Sequence, residues 1–298
     1  MLLQLASLFA AVGAFLAVQT LHNAPLPASG GPPPLNLRGG AGELPSLSAE
    51  SVFLADTTEG IILHSKNADT VRPIASITKL MTALALLDKN PDWNGLITFE
   101  AQDRRNGDIA YLIPGEQLKV VDAWNLMLTA SSNDAAMLLT RSFLGDEAAG
   151  VLAMNAKAEK LGLRSLKFAD PTGLRAENVG TAREVAALAR FSLSHAPIRE
   201  AVLKSSFQFA PKGKAAREVH ATNQLLRWFN PPDGPILGGK TGHIEESKYN
   251  LVFAARSYGS ELMAVVLGSE TNDARFQDMA KLLKWGFSVV QGERSLGD

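Results

Sequence analysis

At 298 residues the chain is long enough to bury a full hydrophobic core, as one large domain or two small ones. A composition of 46% hydrophobic and 20% charged residues argues against both a disordered chain and a multi-span membrane protein. The formal net charge is -1 and the 29 basic residues are scattered, so the electrostatic footprint of a nucleic-acid binder is missing, and with no cysteine there is no disulfide framework, thiolate zinc site or cysteine nucleophile.

Residues 1–21 are almost wholly apolar, with Gln4, Ser7, Gln19 and Thr20 the only polar side chains, and they are long enough to cross roughly 30 Å of hydrocarbon. They are expected to be an export signal or an N-terminal membrane anchor, although they lack a leading Lys or Arg and a clean A-x-A cleavage site. Residues 22–43, rich in Pro, Gly and Ala, are expected to be a linker, with folded structure starting near Leu44.

Short apolar runs at 51–55 and 60–64 flank Asp56-Thr57-Thr58-Glu59-Gly60 and predict a hairpin. Residues 76–88 contain strong helix formers, no Gly or Pro, and apolar side chains nearly all round, as a buried central helix requires. Further helices are predicted at 121–130, 133–143, 147–161 and 181–195, the last opened by a Thr181/Glu184 capping box. Strands at 204–210, 238–242, 249–255 and 261–268 follow, and an amphipathic helix at 273–290 closes the chain. A sheet drawn from both ends of the chain, with helices inserted between, is an α+β arrangement.

The chemistry starts at Ser76-Ile77-Thr78-Lys79, the one S-x-x-K in the chain. Serine needs a base within hydrogen-bond reach to act as a nucleophile, and residues i and i+3 share a helix face. Lys79 serves as that base only as a neutral amine, a state favoured by burial and by a second cation. Ser131-Ser132-Asn133 lies between two predicted helices, where Ser131 can bond a lysine amine and Asn133 can orient a substrate amide; a second Ser-x-Asn, Ser65-Lys66-Asn67, falls outside that setting. Lys240-Thr241-Gly242 follows two glycines on a predicted strand, where another backbone can approach closely. The three motifs occur in the order associated with penicillin-recognising serine enzymes.

With these motifs the chain resembles the D-alanyl-D-alanine carboxypeptidase family of low-molecular-mass penicillin-binding proteins, serine peptidases that include the related murein endopeptidases. The likeness runs through residues 75–84, 131–136, 154–158, Asp170-Pro171-Thr172-Gly173-Leu174, 240–243 and Trp285-Gly286-Phe287, and covers roughly residues 51–290. It implies a β-lactamase/DD-peptidase-like α+β fold, an antiparallel sheet flanked by helices with an inserted helical lobe, in a serine DD-peptidase domain spanning 44–298. It further implies that Ser76 attacks the carbonyl between two D-alanines, that Lys79 takes its proton, and that Ser131 relays a proton to the leaving amine. Lys240 would depress Lys79 and attract the terminal carboxylate, which Thr241 and Arg275 would bind, and the N–H groups of Ser76 and His243 beside Gly242 would form an oxyanion hole. The implied partners are peptidoglycan stem peptides and, as covalent inhibitors, β-lactams. The implied location is extracytoplasmic, with membrane contact only through the N-terminal segment and no cofactor.

Two departures qualify the resemblance. Thr222 precedes Asn223 where the family often has an arginine, and no room is expected after the closing helix for a β-rich second domain or C-terminal anchor. A class A β-lactamase would carry a glutamate in an E-x-x-L-N segment, which is missing, so slow deacylation is expected. A murein endopeptidase and a penicillin-binding sensor that is acylated without turnover stand as the alternative readings.

Overall fold

The computed structural model describes residues 43–294 apart from 108 and 110. The expected leader at 1–21 and all but the last residue of the expected linker therefore lie outside the described residues. Strands β1 (Ser51–Asp56) and β2 (Ile61–Lys66) form the predicted hairpin, and β3 (Arg72–Pro73) leads into a 3₁₀ turn (Ala75–Thr78) and helix α1 (Lys79–Leu87). Short strands β4 (Leu96–Thr98) and β5 (Gln117–Lys119) precede α2 (Val120–Thr129), α3 (Asn133–Leu144) and α4 (Glu147–Lys160). Next come β6 (Val179–Gly180), α5 (Ala182–Leu193), α6 (Ala196–Val202), the hairpin β7 (Ser206–Phe209) and β8 (Arg217–His220), and α7 (Leu225–Trp228). The chain ends in β9 (Ile236–Ile244), β10 (Lys248–Ser257), β11 (Ser260–Ser269) and α8 (Asn272–Arg294).

Five strands make one antiparallel sheet in the order β2-β1-β11-β10-β9. Side chains alternate across it. Phe53, Ala55, Val252, Ala254, Met263 and Val265 join the core that contains α1 and the helical lobe, whereas Val52, Leu54, Leu251, Phe253 and Leu262 pack against Phe276, Met279, Leu283 and Phe287 of α8. Both faces are covered, which is why these strands read as continuous apolar runs rather than alternating ones. Each fully buried Leu or Phe contributes about 1.5–3 kcal/mol.

Helix α1 is the central helix anticipated from its apolar circumference, packing against α3, α4 and α5. Its first turn differs from the expectation. Residues 75–78 wind as a 3₁₀ turn before the α-helix begins at Lys79. The Thr181/Glu184 box is half formed: Thr181 Oγ1 accepts from Glu184 N–H at 3.2 Å, but the Glu184 carboxylate reaches across to Ser165 N–H and Oγ and to Leu166 N–H. At the other end of the domain, buried Asp278 on α8 accepts from Ser48 N–H and Oγ, Ala49 N–H and Ser269 Oγ. It thereby ties the start of β1 to the closing helix. Among the described residues no helix is long and apolar enough to cross a membrane.

Candidate active site

Ser76 sits in the 3₁₀ turn, where side chains at i and i+3 eclipse. Lys79 is therefore brought directly onto the Ser76 face, and its Nζ lies 2.9 Å from Ser76 Oγ. Lys79 is fully buried. Its Nζ also donates to Asn133 Oδ1 at 2.7 Å and to the Thr172 carbonyl at 2.6 Å. An amide oxygen and a backbone carbonyl can only accept. A neutral amine has two N–H groups and one lone pair, so with both N–H groups engaged by these oxygens the lone pair is left for the Ser76 hydroxyl proton.

The residue before the nucleophile, Ala75, has φ 49°, and Ser131 has φ 62°. Left-handed backbone at a non-glycine residue is strained and is held only where its surroundings over-determine it. In the Ser131-Ser132-Asn133 segment the middle residue does the capping: Ser132 Oγ accepts from Ala135 N–H at 3.1 Å. That leaves Ser131 and Asn133 to face the two lysines. The other Ser-x-Asn has a structural role, Lys66 Nζ donating to the Ala49 carbonyl and Asn67 Nδ2 to the Glu50 carbonyl.

Lys240 approaches from β9, the edge strand of the sheet, and donates to Ser131 Oγ at 2.7 Å and to the Thr241 carbonyl at 3.1 Å. Burial, then the facing cations of Lys79 and Arg275, push Lys240 well below the usual lysine range. Like-charge repulsion is mutual, so the Lys79–Lys240 pair resists carrying two protons. This has a consequence for stability. The unfolded chain keeps the Lys240 proton to higher pH than the folded one, so the unfolded state binds more protons and stability rises with pH between the folded and unfolded values. The difference in unfolding free energy between wild type and Lys240→Met is expected to shift in favour of wild type as pH rises from neutral to alkaline. Parallel denaturant titrations measure it, and a difference independent of pH would contradict the assignment.

The rest of the wall comes from β9 and from the loop after α4. A Cβ at Gly242 would lie 2.6 Å from the Ile74 carbonyl oxygen, so only glycine lets β9 run this close to the 3₁₀ turn. Thr241 is buried, with Oγ1 2.6 Å from Thr222 Oγ1. His243 is exposed and stacks on Tyr249, ring centroids 4.0 Å apart. Because β9 is an edge strand, alternate backbone groups of 240–243 face away from the sheet.

Arg275 sits behind this strand. Its Nη1 donates to the Gly242 carbonyl at 3.1 Å and its Nη2 to Asn272 Oδ1, and the guanidinium packs between the rings of Tyr249 and Phe276. Burial lowers it to about 10. The structure thus bonds Lys79 to Ser76 and Asn133, and Lys240 to Ser131, and sets the two lysines close enough to repel one another, with Thr241 next to Lys240 and Arg275 one layer behind Gly242.

The family model described as D-alanyl-D-alanine carboxypeptidase matches residues 40–271. The chain belongs to this family. A D-alanyl-D-alanine endopeptidase of Haemophilus influenzae is 31% identical over 82% of this chain and 84% of its own length. D-alanyl-D-alanine carboxypeptidase DacC of Escherichia coli is 32% identical over 84% of this chain, which spans 64% of that protein. Among solved structures, the Streptomyces K15 DD-transpeptidase superposes with a TM-score of 0.76 at 27% identity, covering 83% of this chain and 99% of that one. The carboxypeptidase-family fold expected from the motifs, a sheet flanked by helices with an inserted lobe, is the fold observed.

One part of the cleft of this carboxypeptidase-family chain was not singled out from the motifs. The 170–175 loop supplies the Thr172 carbonyl to Lys79 and packs Gly173 onto the backbone of Ala75 and Ser76. Its signal in the sequence is the turn-forming Asp170-Pro171-Thr172-Gly173 string. A carbonyl oxygen leaves no trace in residue identity.

Proposed function

We propose that the chain is a serine-type D-alanyl-D-alanine carboxypeptidase that trims peptidoglycan stem peptides through a Ser76 acyl-enzyme. The observation that carries the reading is the contact of Ser76 Oγ with a buried lysine that also donates to two carbonyl oxygens, those of Asn133 and Thr172. In acylation, Ser76 Oγ bonds to the penultimate D-alanine carbonyl carbon as its proton passes to Lys79 Nζ. The oxyanion is taken up by the N–H groups of Ser76 and His243, where losing one donor costs roughly 3 kcal/mol of transition-state stabilisation. The C–N bond then breaks, and the proton held by the lysine pair returns through Ser131 to the leaving D-alanine amine. Water hydrolyses the ester and frees Ser76. Lys240, Thr241 and the positive field of Arg275 favour the terminal carboxylate of an uncross-linked stem. β-Lactams acylate the same serine and deacylate slowly.

Residues 44–298 act as the peptidase domain on the outer side of the membrane, delivered by the leader at 1–21 and held off by the linker at 22–43. A second reading, murein endopeptidase, is favoured by one observation: the position paired with Thr241 is the neutral Thr222, not a cation, which lowers the demand for a free carboxylate. The deciding experiment offers one enzyme sample both a pentapeptide stem and a cross-linked dimer, and follows released D-alanine. Multiple turnovers on the pentapeptide are expected. Cleavage of the dimer alone would move the assignment to endopeptidase, and a single equivalent of D-alanine would make the protein an acylated sensor.

A further inference from the structure

Asp170 lies outside the motifs, is buried at 4% exposure, and is bonded almost wholly to its own loop. Its Oδ1 accepts from Thr172 N–H at 2.6 Å, Gly173 N–H at 2.8 Å and the Thr172 hydroxyl. Its Oδ2 accepts from Arg175 N–H at 2.8 Å and Asn178 Nδ2 at 2.7 Å. Burial alone would raise its pKa, but the bonds from Thr172, Arg175 and Asn178 outweigh burial and hold the carboxyl below the usual carboxylate range. One ionised carboxylate therefore dictates the shape of the 170–175 loop.

That shape matters because three contacts of the loop converge on the first turn of the central helix. The Thr172 carbonyl meets Lys79 Nζ at 2.6 Å, Gly173 abuts the Ala75–Ser76 backbone, and the Pro171 carbonyl accepts from Thr82 Oγ1 at 2.7 Å. We propose that Asp170 is a positioning residue for acylation: by fixing the loop it aims the Thr172 carbonyl at Lys79 Nζ, and so directs the amine lone pair towards Ser76. The proposal rests on Ser76 as nucleophile and Lys79 as its base.

The test is the acylation rate of the full chain with a fluorescent penicillin, followed against pH and expressed per folded molecule. Asp170→Asn keeps the side-chain shape but turns an amide NH2 towards backbone donors, so the loop loses part of its anchorage. Misplacement of this size lowers the rate on the order of 10- to 100-fold. The acid limb of the profile is expected to move to lower pH. A carbonyl acceptor favours the ammonium over the amine because the charge-assisted bond is the stronger, so losing it favours the neutral base. Lys240, a cation facing Lys79, is the same in both proteins.

Loss of fold alone would reduce the amount of active protein without moving that limb. If Asp170→Asn fails to fold, Thr172→Val removes the hydroxyl that bonds Asp170 while keeping the carbonyl, and a smaller shift in the same direction is expected. An unshifted acid limb in the folded variant overturns the proposal. Ser76→Ala measured alongside separates the two claims, since labelling that persists there overturns the nucleophile assignment itself.

Discussion

Ser76→Ala is expected to abolish covalent labelling by fluorescent penicillin while leaving the thermal transition close to wild type, because the hydroxyl is half-buried and its loss opens no cavity in the core. Lys79→Ala should suppress acylation by about 10²–10⁴-fold, the range of a positioned general base. It also removes the Lys79 donor from Asn133 Oδ1, a cost of about 1–3 kcal/mol where buried, and leaves the Thr172 carbonyl with the longer 3.4 Å bond from the Ser76 hydroxyl. The lysine variant should therefore unfold earlier than the serine variant although both are inactive. Stopped-flow labelling and thermal melts of the two proteins read these effects separately, and normal acylation of either would remove Ser76 and Lys79 from the proposed roles.

Gly173→Ala should be nearly as damaging without touching a reacting group. Gly173 has φ 84°, and a Cβ there would stand 2.1 Å from the Ala75 carbonyl oxygen and 2.8 Å from Ser76 N. The left-handed backbone costs roughly 1–2 kcal/mol for any L-residue. The clash adds to this, because the obstacle is backbone and cannot rotate away. A destabilisation of at least about 2 kcal/mol is expected, a fall in Tm of about 4–8 °C for a domain of this size, with acylation of the remaining folded protein reduced as Thr172 moves off Lys79. Gly162→Ala is the matched control. Its φ is 73° but nothing lies within 4 Å, so it should bear the backbone cost alone and acylate normally. Wild-type acylation by Gly173→Ala would show that the loop does not set the site.

Much of this is legible in the amino-acid sequence alone. The central helix, the three-strand run at the C-terminal end and the closing helix follow from residue patterns that are local or simply apolar. Strands β3 and β6, of two residues each, and β4 and β5, of three, carry too few positions for any periodicity to register. In Ser131-Ser132-Asn133, the identity of the capping hydroxyl was equally hidden, since either serine is a competent cap by type. Arg275 follows from the family resemblance, but its direction, towards the Gly242 carbonyl from behind, depends on how α8 crosses β10.

The amino-acid sequence by itself determined the Ser76–Lys79 pairing, because a separation of three residues at the start of a helix is geometry that the chain carries locally. Only the tertiary structure decided that Lys240 meets Ser131 across 109 positions, and that the Thr172 carbonyl reaches Lys79 across 93. Those contacts are made by packing an edge strand and a carboxylate-tied loop against one helical turn, and no local pattern encodes which surfaces a buried core will press together.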